Sequence, residues 1–277
     1  MTAYLTFSAV KAKTLSLDQT VPVSEKAWKI SGSKMFIEPL KPVTVRELIH
    51  GMIVQSGNDA CVALAELIAG SEENFVQLMN QTAAKLGMKV LLGIWISRDE
   101  EDNEEEITRG IAAAKAHPQA IRAIIVGNEV MLRGEQTDKA LALKAQRVKA
   151  ATGLPVTIAD IWAFWLKHPE LAKSVDFITI HILPYWEDDP QPITRLQPLL
   201  DDIVGRVTAV FPHIRFLIGE TGWPSMGRTR GWSVPSLINQ ARFIREFVAL
   251  AAARGWDYNL IEAYDQPWKR HLEGTVG

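Results

Sequence analysis

The chain has 277 residues and lacks the features that mark several protein classes. Cys61 is its one cysteine, which excludes an intrachain disulfide, and its apolar helical context is typical of a small core residue. No apolar run reaches the ~20 residues of a membrane span. The first residues also lack the basic and apolar regions of a signal peptide. As written, the sequence predicts a cytoplasmic protein without a membrane span.

An excess of charge of either sign is also absent. The net charge is −2 and the pI is near 6.3, which gives no reason to expect nucleic acid or an anionic membrane as a partner. A neutral polysaccharide is compatible with this balance. Because 47% of the residues are hydrophobic, the composition indicates a globular protein with enough material for a core. Oligomeric state is left open.

Residues 1–89 differ in character from the rest of the chain. Only Trp28 of the nine tryptophans lies there. Thr44 and Glu47 have the spacing of a capping box, which predicts that a helix begins at this point. A second helix is predicted from Ser71 to a stop at Gly87. This segment is therefore expected to be mainly helical.

From Lys89 onward, apolar runs typical of buried strands alternate with helical patterns. The predicted strands are 90–96, 121–127, 155–160, 175–182, 214–220 and 258–264. A closed (β/α)₈ barrel needs eight strands and usually ~250 residues. The predicted fold class is therefore α/β, an incomplete (β/α)₈ TIM-type barrel of six βα strands preceded by a mainly helical fragment.

Two of these predicted strands end in a carboxylate. Residues 216–219 are apolar or small and are followed by Glu220, and residues 121–127 lead in the same way to Asn128 and Glu129. A single acid after a strand is more often a solvated or capping group. A pair at two strand ends is what a glycosidase needs, because one carboxylic acid protonates the leaving oxygen while a carboxylate attacks the anomeric carbon.

Three motifs in order resemble glycoside hydrolase family 17, which contains the β-1,3-glucanases. They are Val126–Glu129, Val175–Trp186 and Ile218–Ser225. The resemblance implies that Glu129 is the acid/base and Glu220 the nucleophile of a retaining mechanism. It implies no cofactor.

The same resemblance implies roles for accessory residues. Asn128 would bind the sugar 2-hydroxyl, Tyr185 would orient Glu220, and Trp186 and Trp223 would stack on sugar rings. Packing at the rim is an equally good reading of the aromatic residues. The expected substrate-binding residues are Asn128, Tyr185, Trp186, Trp223, Glu262 and Lys269. His181 is treated as a core histidine with a weaker claim to a direct role.

Residues 1–89 resemble a different family, the D-alanyl-D-alanine carboxypeptidases among the penicillin-binding proteins. The residues that carry this resemblance include Val23–Trp28, Gly51–Cys61 and Phe75–Asn80, with Ser56 and Asn58 in the position of the second active-site motif. In that family the Ser-x-x-Lys nucleophile would lie just before the position of Met1 and the Lys-Thr-Gly strand far downstream, so neither of these elements is in this chain. Peptidase activity is therefore not expected, and neither is retention of labelled penicillin.

The sequence thus predicts two truncated segments, a carboxypeptidase-like fragment at 1–89 and a glycosidase-like partial barrel at 90–277. The predicted function is hydrolysis of β-1,3-glucan or transglycosylation, impaired by loss of two strands. The alternatives are a non-catalytic or artefactual chimera and, more remotely, a carboxypeptidase remnant. Both families usually act in the bacterial envelope or outside the cell. The acidic run Asp99–Glu106 lacks histidine and ligand spacing, so no metal is expected there.

Overall fold

The computed structural model describes residues 1–30, 34–55, 57–262, 269 and 274–275. The chain divides into two compact units, of which the first contains Met1–Met88 and the second begins at Lys89. In the described residues, no helix combines the length and apolar character needed to cross a membrane.

The first unit is mainly helical, as predicted. Its helices are α1 (Thr2–Lys11), α2 (Glu25–Lys29), α3 (Val45–Val54), α4 (Asn58–Ala69) and α5 (Glu72–Lys85). Strands β1 (Thr20–Val21) and β2 (Val43–Thr44) form a short antiparallel pair. The capping box predicted at the start of α3 is present, because Thr44 Oγ1 accepts from the Glu47 N–H and the Glu47 carboxylate accepts from the Thr44 N–H.

Among its described residues, the second unit contains a six-stranded parallel sheet in the order β3 to β8. The strands are β3 (Val90–Ile94), β4 (Ile121–Asn128), β5 (Val156–Ile161), β6 (Ile178–His181), β7 (Phe216–Thr221) and β8 (Asp257–Leu260). The order follows the chain, so each crossover leads to the adjacent strand as in a barrel. The fold is therefore an incomplete TIM-type barrel.

Helices connect these strands. They are α6 (Glu100–Ala116), α7 (Asp138–Thr152), α8 (Trp162–Lys167), α9 (Leu196–Val210) and α10 (Leu237–Arg254), with short 3₁₀ helices at Pro169–Ser174 and Ile193–Arg195. Large buried side chains on the helices pack against the sheet, among them Trp165, whose indole N–H donates to the Thr179 carbonyl oxygen at 2.9 Å. This packing fixes the sheet as a platform whose carboxyl edge can carry a site.

The outer edges of β3 and β8 pair with no strand among the described residues. At the amino-terminal ends of its strands, the sheet borders a cavity of about 700 Å³, lined by Leu91, Ala123, Pro155, Phe177 and Leu217 among others. A closed barrel fills this space with layers of side chains from all eight strands. A cavity at this position is what we expect when two of the eight strands are missing.

Candidate active site

Two carboxylates lie at the carboxyl ends of parallel strands in the second unit. Glu220 is the fifth residue of β7, and Glu129 directly follows β4. Glu129 has a backbone φ of 53°, which is uncommon for a residue with a side chain, and Gly127 before it has a φ of 82°. The chain therefore turns sharply at the end of β4 and presents the Glu129 side chain at the rim.

The curvature of the sheet brings these two acids together. On a flat sheet, β4 and β7 would be about 14 Å apart, since neighbouring strands are spaced by ~4.8 Å. In the structure, a carboxylate oxygen of Glu129, a ring nitrogen of His181 and a carboxylate oxygen of Glu220 all lie within 4.8 Å of one another. The two carboxyl groups therefore approach each other closely at this rim.

Asn128 connects the buried histidine to Glu220. His181 Nε2 lies 2.8 Å from Asn128 Oδ1, and Asn128 Nδ2 lies 3.4 Å from Glu220 Oε1. An amide oxygen only accepts, so the proton of a neutral His181 resides on Nε2 and is donated to Asn128. The amide nitrogen is then directed at the Glu220 carboxylate. Asn128 was predicted to bind sugar, and it also bridges these two side chains.

His181 is neutral because it is buried. Only 2% of the residue is exposed, and burial lowers its pKa to about 4. Its Nδ1 atom has no hydrogen-bond partner in the described part of the chain. Space for the ring comes from Gly219 on the neighbouring strand, where a Cβ atom would lie 2.9 Å from His181 Cε1 and 2.4 Å from Thr179 Cγ2. The sequence predicted that His181 is a core histidine. It is buried, and it also contacts Asn128 beside the two acids.

Two of the predicted aromatic residues are buried. Trp223 is 3% exposed, donates its indole N–H to the Val234 carbonyl oxygen at 3.1 Å and lies beside Phe243. This burial favours packing at the rim, the alternative reading of the sequence, and stacking of Trp223 on a sugar stays a prediction.

Tyr185 is fully buried as well, and its hydroxyl donates to the Arg228 carbonyl oxygen at 2.5 Å. This bond joins two loops at the rim, and the expected role of Tyr185 in orienting Glu220 stays a prediction. Trp186 contacts Tyr185 edge to face at 4.8 Å and keeps a partly exposed surface. Of the three predicted aromatic residues, Trp186 is the most exposed, and its stacking on a sugar also stays a prediction.

The remaining predicted residues lie at or beyond the end of β8. Glu262 follows β8 and is partly buried. Lys269 is partly buried and is grouped with the first unit. The predicted strand 258–264 ends earlier, at Leu260, and residues 263–264 lie outside the described part of the chain. In the first unit, Ser56 also lies outside the described residues, whereas Asn58 begins α4.

Cation-binding geometry occurs at the same rim. Glu129, His181 and Glu220 each offer a ligand atom at a spacing that could hold one ion. His181 could ligate through Nε2 only after moving its proton, because that atom donates to Asn128. The acidic run at 99–106 instead forms the first turns of α6, where Glu100 and Glu104 pair with Lys144 and Arg147.

Two polar residues at this rim were not predicted from the sequence. Asp160 on β5 is 2% exposed, and its carboxylate accepts the N–H of Met131 at 3.0 Å. Arg133 donates to the main-chain carbonyl oxygens of Asn128 and Ile96. Asp160 had a signal that could have been used, since it too is an acid at the end of an apolar strand. Arg133 had none, because its partners are backbone carbonyl oxygens, which carry no residue-specific pattern, and Ile96 is 37 residues away in sequence.

Two families match different, overlapping parts of the chain. Residues 68–277 match the BtgE/BtgC glycoside hydrolase domain, and residues 1–91 match the D-alanyl-D-alanine carboxypeptidase family. A glucan 1,3-beta-glucosidase of Candida albicans is 27% identical over 229 residues, which is 75% of this chain and 73% of that protein. The glycoside hydrolase family 17 beta-1,3-glucanosyltransferase from Rhizomucor miehei superposes with a TM-score of 0.61 at 28% identity, covering 74% of this chain and 77% of that one.

The amino-terminal similarity is stronger in identity and shorter in extent. D-alanyl-D-alanine carboxypeptidase DacC of Escherichia coli is 45% identical over 94 residues, which is 32% of this chain. The chain spans 24% of the length of that protein and 23% of a Bacillus subtilis relative, DacF. This similarity therefore concerns a fragment of those enzymes.

Proposed function

We propose a function for the second unit from the premise that this chain belongs to the BtgE/BtgC glycoside hydrolase family, to which residues 68–277 match. The proposed activity is cleavage of β-1,3-glucan with retention of anomeric configuration, by hydrolysis or by transfer to another sugar. Glu220 is the proposed nucleophile and Glu129 the proposed acid/base.

The observation that carries this proposal is the distance between the two acids. A Glu129 oxygen and a Glu220 oxygen lie within 4.8 Å of each other. Retaining glycosidases hold their carboxyl groups about 5–5.5 Å apart, whereas inverting enzymes leave about 6.5–9.5 Å for a water molecule. The spacing favours direct attack by a carboxylate over attack by a water placed between the two groups.

The proposed reaction has two steps. In the first, Glu129 donates its proton to the glycosidic oxygen while that oxygen leaves C1, and a Glu220 oxygen forms a bond to C1. In the second, Glu129 accepts a proton from water or a sugar hydroxyl, whose oxygen bonds to C1 as the bond to Glu220 breaks. Glu129 is then protonated and Glu220 is ionised, as at the start.

Two hydrogen bonds, from neutral His181 to Asn128 and from Asn128 to Glu220, support ionised Glu220 as the nucleophile. Asn128 Nδ2 donates toward Glu220 Oε1, and hydrogen bonding to a carboxylate favours its charged form. A neutral His181 adds no positive charge that would weaken the nucleophile by pairing with it. For the roles to differ at neutral pH, the pKa of Glu129 must be raised by its negative neighbour, and this stays a prediction.

The substrate class is taken from the relatives. The Rhizomucor miehei protein is named as a beta-1,3-glucanosyltransferase, and a mutant of its active site was solved in complex with laminaritriose. In this chain, Asn128 and Trp186 are the proposed sugar contacts near the acids. Glu262 and Lys269 are proposed as further contacts on the resemblance alone. The expected partner is a neutral glucan, with no nucleic acid and no cofactor.

Activity is proposed to lie well below that of a complete barrel. The sheet has six strands, and the edges of β3 and β8 are unpaired among the described residues. Catalytic groups must be held within ~0.5 Å, and a misplacement of ~1 Å can cost ~100-fold in rate. The competing possibility, a non-catalytic chimera, is favoured by the same unpaired edges.

Hydrolysis of laminarin tests the proposal. The chain, its Glu220→Gln variant and its Glu129→Gln variant are compared for release of reducing sugar, and the first-formed anomer is identified by proton NMR. We expect slow release of the β-anomer that depends on both glutamates. Release of the α-anomer, or release that is indifferent to Glu220, would exclude the assigned mechanism.

A further inference from the structure

We propose that Arg133 and Asp160 are positioning residues that hold the segment bearing Glu129 in its working conformation. The inference rests on the proposed role of Glu129 as acid/base. It concerns two side chains that come from different strand ends and converge on the backbone on either side of this acid.

The backbone around Glu129 needs external support. Its φ of 53° lies in the left-handed region. This conformation is unfavourable for any residue other than glycine, so it persists only where the surrounding structure holds the backbone in it. The Glu129 N–H donates to the Ala159 carbonyl oxygen at 2.8 Å, and the Glu129 carbonyl oxygen accepts the Arg133 N–H at 2.9 Å. The acid therefore sits at the start of a tight turn whose geometry determines where its carboxyl group points.

Asp160 holds the far side of this turn. Its carboxylate accepts the Met131 N–H at 3.0 Å and the Ile161 N–H at 2.9 Å, and it also accepts from the Leu132 N–H. Burial raises the pKa of Asp160, while these backbone donors and the nearby Arg133 act in the opposite direction. A buried carboxylate that uses its oxygens on main-chain N–H groups fixes the turn to β5.

Arg133 holds the near side. Its guanidinium donates to the carbonyl oxygen of Asn128, the residue directly before Glu129, and to the Ile96 carbonyl oxygen at 2.9 Å. The guanidinium also forms two bonds to the Glu135 carboxylate and lies 4.4 Å from the centre of the Trp95 ring. The planar fork of an arginine makes such a set of bonds possible, and a lysine could not reproduce it. Arg133 thus ties the end of β4 to the segment after β3.

Both side chains bond to the segment around Glu129, whereas Glu220 is linked to this segment through the Asn128 amide at 3.4 Å. Loss of either is therefore expected to displace Glu129 more than Glu220. Proton donation to the leaving oxygen then suffers more than attack on C1. The resulting defect depends on the leaving group, because a leaving group that departs as a stable anion needs no proton from an acid.

Two substrates distinguish this defect from general damage. The full chain and its Arg133→Met and Asp160→Asn variants are assayed on laminarin and on an aryl β-laminaribioside with a dinitrophenolate leaving group. Azide is supplied with the aryl substrate, since it attacks the glycosyl-enzyme without a general base. We expect a loss of about 10- to 100-fold in kcat/KM on laminarin and of less than about 3-fold on the aryl substrate.

Two control substitutions remove an arginine and an aspartate whose bonds lie elsewhere in the second unit. Arg254 forms a two-oxygen pair with Asp201 between α10 and α9, at 2.7 and 2.8 Å. Asp176 accepts the Val156 N–H at 2.9 Å at the other end of β5. Arg254→Met and Asp176→Asn are expected to change both rates by less than about 2-fold, because neither residue bonds to the turn at Glu129.

The outcomes separate the two claims. Equal losses on both substrates in Arg133→Met and Asp160→Asn would overturn the positioning role while leaving the proposed function intact. If Arg133→Met does not fold, as judged by its thermal melt, Arg133→Lys and Asp160→Asn decide by the same ratio. Absence of Glu220-dependent turnover of either substrate by the unmodified chain would sink the proposed function and this inference with it.

Discussion

The two ends of the six-stranded sheet differ in how they use polar side chains. At the carboxyl end, the buried Asp160 accepts from the Met131 N–H and the buried His181 donates to the Asn128 side chain. At the amino end, the Arg215–Asp257 ion pair is largely exposed, at 81% and 68% of the two side chains, and borders the open cavity. The buried polar groups therefore lie at the end of the strands where complete barrels carry their active sites, and the proposed site is placed there.

The largest expected effect is at the carboxyl end. Glu220→Gln keeps the size and hydrogen bonding of the side chain and removes the nucleophile, so turnover of laminarin should fall by about 10⁴-fold. The thermal midpoint should hardly change, because the site is not needed for folding. Laminarin assays and thermal melts of the two proteins check both parts. A large loss of stability together with activity would mean that the two ends do not differ as described.

The second prediction concerns pH. His181 has a pKa of about 4 in the fold and an ordinary value of 6.5, so the unfolded chain binds the proton more readily. The stability that comes from keeping His181 neutral is complete above pH 6.5 and is lost as the pH falls toward 4. The loss of unfolding free energy by pH 4 is about 3 kcal/mol from this group.

Urea titrations at pH 7 and pH 4 measure this effect. His181→Gln cannot titrate, so its stability should fall less over this range than that of the unmodified chain. An identical fall in both proteins would assign the acid sensitivity to other groups and remove His181 from the account.

The third prediction compares the effects of alanine substitution at two glycines. Gly219→Ala places a Cβ atom 2.4 Å from Thr179 Cγ2, so we expect a loss of about 2 kcal/mol in stability and a drop in activity as His181 is displaced. Gly205 in α9 has open space at the same position, and Gly205→Ala should stabilise the protein by about 0.5–1 kcal/mol. Urea unfolding of both variants gives the comparison, and equal effects would contradict the packing described at Gly219.

The smallest effect is expected at the amino end. Arg215→Met removes an exposed ion pair with Asp257, which is worth less than about 1 kcal/mol. Laminarin turnover should stay within about 2-fold of that of the unmodified chain. A loss of activity comparable to that of a rim variant would show that the amino end participates in the reaction.

Much of the sheet was predictable from local sequence. The strands at 121–127, 155–160 and 214–220 match β4, β5 and β7 within one or two residues, because each is an apolar run stopped by a polar or turn residue. Helix α8 was missed, since Trp162–Lys167 has no side-chain cap and reads as an apolar continuation of β5. The predicted strand at 175–182 also begins too early, because β6 starts at Ile178.

The candidate site was predictable only in part. Glu129 and Glu220 were found because a carboxylate after an apolar run is a local signal. The burial of Trp223 was not predictable, since a tryptophan after a strand can turn to the rim or to the core, and its packing beside Phe243 is not a local signal. The bond of Arg133 to Ile96 depends on the pairing of β3 with β4, which no local pattern around Arg133 expresses.

Covalent trapping of the nucleophile tests the central claim most directly. The chain is incubated with a 2-deoxy-2-fluoro-laminaribiosyl fluoride, which forms the glycosyl-enzyme and hydrolyses slowly, and the digest is analysed by mass spectrometry. The glycosyl-enzyme accumulates even when turnover is slow, so low activity of the incomplete barrel does not prevent its detection. The account predicts one added disaccharide on the peptide that contains Glu220, absent from Glu220→Gln. A folded chain that acquires no label, or a label on another residue, would contradict the assignment of Glu220 as the nucleophile of a retaining glycosidase.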